Sequence, residues 1–405
     1  MKLQIFLLTF MLFFTLAALE FKSGNHAMAY EINLKNKSIK IIAETAYDPT
    51  KEEGDSVYTL YWNDKTNFQI QKTLPFTSIK SGSIGWLYLY PKEAAKVKKA
   101  SSFYCHRMEF KVKQDKNIKF VYPQVLNAPI YPLGKGKGQI DFNGKKITFK
   151  APAKVTQFSQ GSIKDIQLRE SKLRIFGKKV NNKFIISLVY IIANERVEKI
   201  NPALPCALII GDSISMNYEK SLKKALKGKM NCLRIDGNSG DSNRGNSALQ
   251  LWLGDIPGQK SRWQVVVLNH GLHDLKQKYD SVNKKFDKKH QVEPAVYAKN
   301  IDRIFKYLTA KNYKVVWCTT TPVPNDSYGT FARKKDEDLV YNQILVPVLK
   351  KYPQITVCDL NKLVRNSNSF DQWKKGNNVH FYGEQEVKLL GNAVAAAILE
   401  AAAKK

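Results

Sequence analysis

The chain has 405 residues, 43% hydrophobic and 25% charged, which excludes a disordered or low-complexity protein and suggests two or three domains with sizeable cores. Its 65 Lys and Arg against 35 Asp and Glu give a formal net charge of +30, which favours polyanionic partners: nucleic acid, an anionic membrane surface or an acidic polysaccharide. Five cysteines are an odd number and too few for a disulfide scaffold.

Met1-Lys2 precedes an apolar run from Ile5 to Leu19 that is short for a bilayer span, and Ala27-Met28-Ala29 is a small-x-small cleavage pattern. Residues 1–29 therefore read as a secretory signal peptide cut ahead of Tyr30. The mature protein is expected to be secreted or periplasmic, with no membrane-spanning segment. Export and the lack of a nucleic-acid-binding signature leave an acidic glycan as the expected partner class.

From Tyr30 to Lys199 the texture is β. Ser38–Ile42, Val57–Trp62, Met108–Val112 and Phe184–Ala193 are strand-like runs, and Asp141–Phe149 is a hairpin with Asn143-Gly144 at its turn. Such runs without helical periods between them predict an all-β sandwich or jelly roll over 30–199, with carbohydrate binding or packing as its open roles. Gly134-Lys-Gly-Lys-Gly138 leads into a hairpin and not a helix, so it reads as a turn and not a phosphate loop.

Ile200–Pro205 is a proline-bearing joint, and beyond it the texture changes. Strands are predicted at Ala207–Ile210, Asn231–Asp236, Trp263–Asn269, Lys314–Thr319 and Ile355–Asp359. Helices are predicted at Ser221–Lys229, Glu293–Ala310, Asp336–Lys351 and Gly383–Ala403. This alternation over 200–405 specifies a five-stranded parallel sheet covered on both faces, with a flavodoxin-like order. Cys206, Cys232, Cys318 and Cys358 lie in or beside these apolar runs and read as buried core thiols. Cys105-His106 lacks partners at metal-ligand spacing.

Every predicted strand of this half feeds a loop rich in polar groups, and the carboxyl edge of such a sheet is where ligands bind. Acyl transfer needs a nucleophile, a base and donors for an oxyanion. Ser213, just past Gly211-Asp212, is the nucleophile candidate, with capping of the next helix as its plain structural alternative. His380, ahead of the last helix, is the base candidate. Gly240 offers a backbone N–H, and Asn269 and His273 offer side-chain donors. No metal-ligand cluster is present in the sequence, and no cofactor is expected.

Gly211-Asp212-Ser213 resembles the first block of the SGNH/GDSL hydrolases, a superfamily of esterases, lipases and carbohydrate deacetylases. Ser239-Gly240-Asp241 resembles the second block and Asn378-Val379-His380 the last, in the expected order. The Asn269–Asp274 stretch, Thr319-Thr-Thr-Pro-Val-Pro324 and Val340-Tyr341-Asn342 look like an exported bacterial subgroup. The resemblance spans about Ala207 to Leu399. It implies Ser213 as nucleophile, His380 as base, and the Ser213 and Gly240 N–H groups as oxyanion donors. Two positions depart from the pattern. The third block carries His273 where Asn is usual, leaving an imidazole N–H or Asn269 to donate. The last block carries Asn377 where the triad acid is usual; an amide orients imidazole through its oxygen but adds no negative charge. Asp359 and Asp371 are other candidates for the acid. The expectation is an exported serine esterase removing small acyl groups, acetyl foremost, from a polysaccharide. The alternatives are a glycan O-acetyltransferase and a binding protein that has lost its chemistry.

Overall fold

The structure, a computed structural model, describes residues 25–44, 57–81, 83–89, 91–99, 102–105, 107–110, 124–134, 136–142, 144–152, 154–192, 200–256, 258–328, 332–368, 370–373, 379–380 and 383–404. The apolar run of the expected leader, His106, Asn143 and the 376–378 part of the last block lie outside them.

Five parallel strands, Cys206–Gly211, Asn231–Arg234, Trp263–Asn269, Lys314–Cys318 and Thr356–Cys358, form the sheet of the α/β half. Numbered along the chain, their spatial order is 2-1-3-4-5. This is the flavodoxin-like order expected. Every residue of Cys206–Gly211 is buried, as a central parallel strand covered on both faces requires. Helices Ser213–Ala225 and Glu384–Ala403 pack together, as do Ser242–Leu253 and Pro294–Ala310. The first pair meets closely at Gly391, where a Cβ would lie 2.7 Å from the Ser221 Cβ. The core is one cluster running from Leu208, Ile209 and Ile210 through Val265–Leu268 and Val315–Trp317 to Val394 and Ile398. Cys206, Cys232, Cys318 and Cys358 are buried in it, and Cys105 is buried in the other half.

Some elements differ from expectation. The first helix begins at Ser213 and not at Ser221, because Asp212 caps it. The expected Asp336–Lys351 helix is two, Glu337–Ile344 and Val346–Lys350, since Pro347 in the first turn of the second cannot continue the ladder of the first. A separate hairpin, Gln277–Asp280 with Lys285–His290, had no prior signal.

The other half is β-rich. Its thirteen described strands belong to one hydrogen-bonded sheet, whereas a sandwich would show two. Strands Lys172–Val180, His26–Asn33, Ser38–Ala43, Val57–Tyr61 and Lys183–Ile192 pair in a closed ring. Ile39, Ile41, Leu60, Leu173, Ile175, Ile186 and Val189 belong to its core. Lys183–Ile192 pairs in addition with Asn67–Pro75, which carries the sheet on through seven more strands over a second core. Closure removes the free edges of this five-strand ring, while at its far end the sheet stops at Phe103–Tyr104, which pairs with Lys145–Lys150. Gly144 at φ +74° turns the hairpin expected at Asp141–Phe149, whose strands are Lys137–Phe142 and Lys145–Lys150, and Gly134 and Gly136, at φ +80° and +69°, turn the preceding one. The first strand starts at His26 with Ala27 and Ala29 buried, so the cleavage point expected ahead of Tyr30 falls inside it.

Candidate active site

Ser213 stands at the carboxyl end of the central strand because Gly211 and Asp212 make the turn there. A Cβ on Gly211 would lie 2.8 Å from the Ser215 Cβ, so glycine is what lets the helix start this close to the strand. The Asp212 carboxylate accepts the Ile214 N–H at 2.9 Å, and the Ser215 hydroxyl donates to the Asp212 carbonyl at 2.7 Å. Capping is therefore done by Asp212, which leaves the Ser213 hydroxyl for another partner. That partner is His380: its Nε2 lies 2.7 Å from Ser213 Oγ. Val379, buried beside it, ties the histidine to the α/β core.

Burial, and then the Arg333 guanidinium, hold the His380 imidazole below its ordinary value of 6.5. In the neutral tautomer with its proton on Nδ1, Nε2 accepts the Ser213 hydroxyl proton, the geometry that a nucleophile and its base require. Asp359 is not placed to act as the acid of a triad: it caps the Leu360–Arg365 helix through Lys362 N–H and accepts from the Thr319 hydroxyl at 2.9 Å. Asp371 is exposed on the short Phe370–Trp373 helix. Asn377 lies outside the described residues.

The donor candidates divide. Gly240, at φ +70°, gives its N–H to Asn238 Oδ1 at 2.8 Å. Asn269 pairs in register with Gly211 and turns its amide N–H into the sheet, onto the Cys318 carbonyl at 3.4 Å. His273 is held differently. Its Nδ1 is 2.8 Å from the Lys276 ammonium, which can only donate, so Nδ1 accepts and the ring proton sits on Nε2. Burial, then Lys276 and Arg333, push this imidazole down to about 3, so it stays neutral.

Lys276 and Arg333 were not singled out by the sequence. Lys276 had one local signal, its three-residue spacing from His273. Arg333 had none, being 60 residues further along. Both are buried. Arg333 Nε donates to the Leu272 carbonyl at 2.8 Å, which pins the His273 loop. Its charge acts on Asp212, His273, Lys276 and His380 alike, so these groups surround one centre. Burial brings Lys276 down to about 8 and lifts Asp212 to about 6. The centre is cationic.

The motif residues around it brace the loops. Gly271, at φ +133°, passes so close to Thr320 that a Cβ would overlap the threonine hydroxyl, which itself donates to the His270 carbonyl at 2.9 Å. The Asn342 amide bonds both the N–H and the carbonyl of Thr320 at 2.9 Å. Asp274 accepts the Ser242 N–H at 2.8 Å, fixing the start of the helix that follows Gly240. Among the described residues no three His, Cys, Asp or Glu side chains group as metal ligands, and no helix is long and apolar enough to cross a membrane.

No described protein family matches the chain by its sequence pattern, and no curated relative does. Solved structures are similar over about half of it. An acetyl xylan esterase is 14% identical with a TM-score of 0.37, covering 48% of this chain and 99% of its own. A GDSL-like lipase from Bacteroides thetaiotaomicron is 12% identical with a TM-score of 0.36, covering 48% and 88%. The catalytic domain of a Streptococcus pneumoniae peptidoglycan O-acetyltransferase is 17% identical with a TM-score of 0.32, covering 49% and 94%. Scores this low carry no argument about activity, which rests on this chain's own residues. Two of the similar structures, that lipase and a lipolytic protein from Desulfitobacterium hafniense, are described as GDSL-like or of the G-D-S-L family.

Proposed function

We propose that the chain is an exported serine esterase that removes small acyl groups, acetyl foremost, from an acidic polysaccharide. The observation that carries the chemistry is the 2.7 Å contact between His380 Nε2 and Ser213 Oγ at the mouth of the sheet. Ser213 Oγ attacks the ester carbonyl while its proton passes to His380 Nε2. The oxyanion forms against the Gly240 N–H, released from Asn238, the His273 Nε2–H, and the Ser213 N–H. The last stands in the first turn of its helix, where no intrahelical carbonyl can claim it and the helix dipole is positive. The tetrahedral intermediate collapses, and the sugar oxygen leaves with the proton from His380. Water then enters by the same route: its proton goes to His380, and the acyl group departs as the carboxylic acid as Ser213 regains its proton.

The polar and cationic surroundings, His273, Lys276, Arg333 and Asp212, suit a short acyl group on a polar polymer better than a long hydrocarbon chain. The net charge of +30 supports an acidic polymer. The test is hydrolysis of p-nitrophenyl acetate by the mature protein beside Ser213→Ala and His380→Ala. Turnover in the wild type that falls by about three decades or more in both variants is expected. Equal residual rates in all three would sink the proposal. Asn377→Asp adds a second readout, since a rise in kcat would show that a carboxylate behind His380 was the missing element.

A further inference from the structure

The Gln277–His290 hairpin lies outside the central sheet, between its third strand and the Pro294–Ala310 helix, and none of its aromatic residues joins a buried core. An isolated two-stranded hairpin is marginal in water, so something other than strand pairing holds it. Tyr279 and Phe286 face each other across the ladder with ring centroids 5.1 Å apart. Tyr328, from the loop after the fourth strand, completes the cluster at 4.6 Å from Tyr279 and 5.9 Å from Phe286. These contacts hold the hairpin, yet Tyr328 is 56% exposed, so one aromatic surface remains open.

Charge surrounds that surface. The hairpin carries Lys278, Lys284, Lys285, Lys288 and Lys289, all exposed, and none is in an ion pair with a described residue. Its two carboxylates are tied to backbone. Asp280 accepts from Val282 N–H, Asn283 N–H and the Asn283 amide, and Asp287 accepts from Lys289 N–H. Lys334 and Lys335, just past the Ala332 that bridges to Gln277, are exposed as well, Lys335 lying 4.0 Å from Asp336. The hairpin is also joined to the active site. Gln277 bridges to Ala332 and Ser327 to Arg333, the residue that pins the His273 loop. Lys276, in contact with His273, directly precedes the hairpin, and Tyr279 follows three residues on, ~10 Å of extended chain.

We infer that this hairpin is a binding arm for an anionic polysaccharide, with the Tyr279–Phe286–Tyr328 rings stacking on sugar rings and the lysines holding the carboxylates of a polyuronate. This rests on the esterase reading and names its substrate class. A pyranose presents an apolar C–H face that aromatic rings pack against, and a uronate adds one negative charge per residue. An acyl ester a few sugars along the same polymer then reaches Ser213.

The test uses full-length mature protein carrying Ser213→Ala, which binds without turnover, titrated with polygalacturonate, polymannuronate and neutral dextran. Micromolar binding to at least one polyuronate and none to dextran is expected. Tyr328→Ala and the pair Lys284→Glu/Lys285→Glu should each raise Kd at least tenfold. The control pair Lys229→Glu/Lys260→Glu removes the same charge from exposed positions elsewhere and should stay within twofold. Circular dichroism confirms that each variant is folded. Absence of polyuronate binding, equal losses in arm and control pairs, or no loss with Tyr328→Ala would each overturn the inference. So would DNA or anionic vesicles held as tightly and with the same dependence on Tyr328, which would assign the arm to another polyanion. Wild-type turnover of p-nitrophenyl acetate is read separately: its absence refutes the esterase, while the Kd values still decide whether the arm binds polyuronate.

Discussion

Lys276 is the side chain on which the proposed role of His273 depends. Its ammonium fixes the His273 tautomer, and that tautomer is what makes His273 a donor. Lys276→Met should therefore lower kcat on p-nitrophenyl acetate about 10–100-fold with little change in KM, because the lost interaction is made mainly in the transition state. The pH profile separates this role from simple packing. In the proposed mechanism His380 is the neutral base, and its value lies below 6.5, so kcat/KM should fall as protons bind only below that pH. On the alkaline side Lys276 loses its proton near 8, and the rate should fall there. A guanidinium stays charged, so Lys276→Arg should move the alkaline fall upward and restore part of the rate. A profile that keeps its alkaline limb unmoved in Lys276→Arg would show that Lys276 only fills space.

Among the elements, the loops after the third and fourth strands hold one another. Gly271, His270, Thr320 and Asn342 form a single brace in which one backbone passes against the next strand's side chain. Gly271→Ala should cost more than about 2 kcal/mol of stability, since it combines a left-handed backbone with an overlap on Thr320. Its denaturant midpoint should drop, and activity should fall further than stability, because His273 rides on this loop. A variant as stable and active as the wild type would remove the brace from the account. Residues of this kind were legible as a block, Thr319-Thr-Thr-Pro-Val-Pro324 with Val340-Tyr341-Asn342, but their task was not. A motif records which residue types recur together and is silent on which carbonyl each hydrogen bond meets.

Across the whole molecule, Arg244 links the β-rich half to the Gly240 loop. Arg244 donates to Glu44 at 3.2 Å and to the Asn238 carbonyl at 2.6 Å, and Asn238 in turn holds the Gly240 N–H. His26 first, and then Arg244, hold the Glu44 carboxyl below its ordinary range, the mark of a working ionic contact. Lys172 meets Asp236 across the same boundary. Glu44→Ala should loosen the Gly240 loop and lower kcat a few-fold, on the order of 1 kcal/mol in the barrier. Unchanged kinetics on p-nitrophenyl acetate would show that the β-rich half leaves the loop alone.

The parallel sheet, its strand order and the pairing of Ser213 with His380 were legible in the sequence, because they are written in local signals. Buried strands are continuous apolar runs, the turn after the first strand needs Gly211 and Asp212, and loops at one edge of a sheet necessarily converge. The closed ring of the β-rich half was not legible, since alternation reports that strands exist and says nothing of which edges meet. Asn269 and His273 had equal standing as donors until the fold turned one into the sheet and set Lys276 against the other. Arg333, the aromatic arm and the Glu44–Arg244 link belong to the tertiary structure alone. Each joins residues from 42 to 200 positions apart, and at such separations only packing decides which charges and rings come into contact.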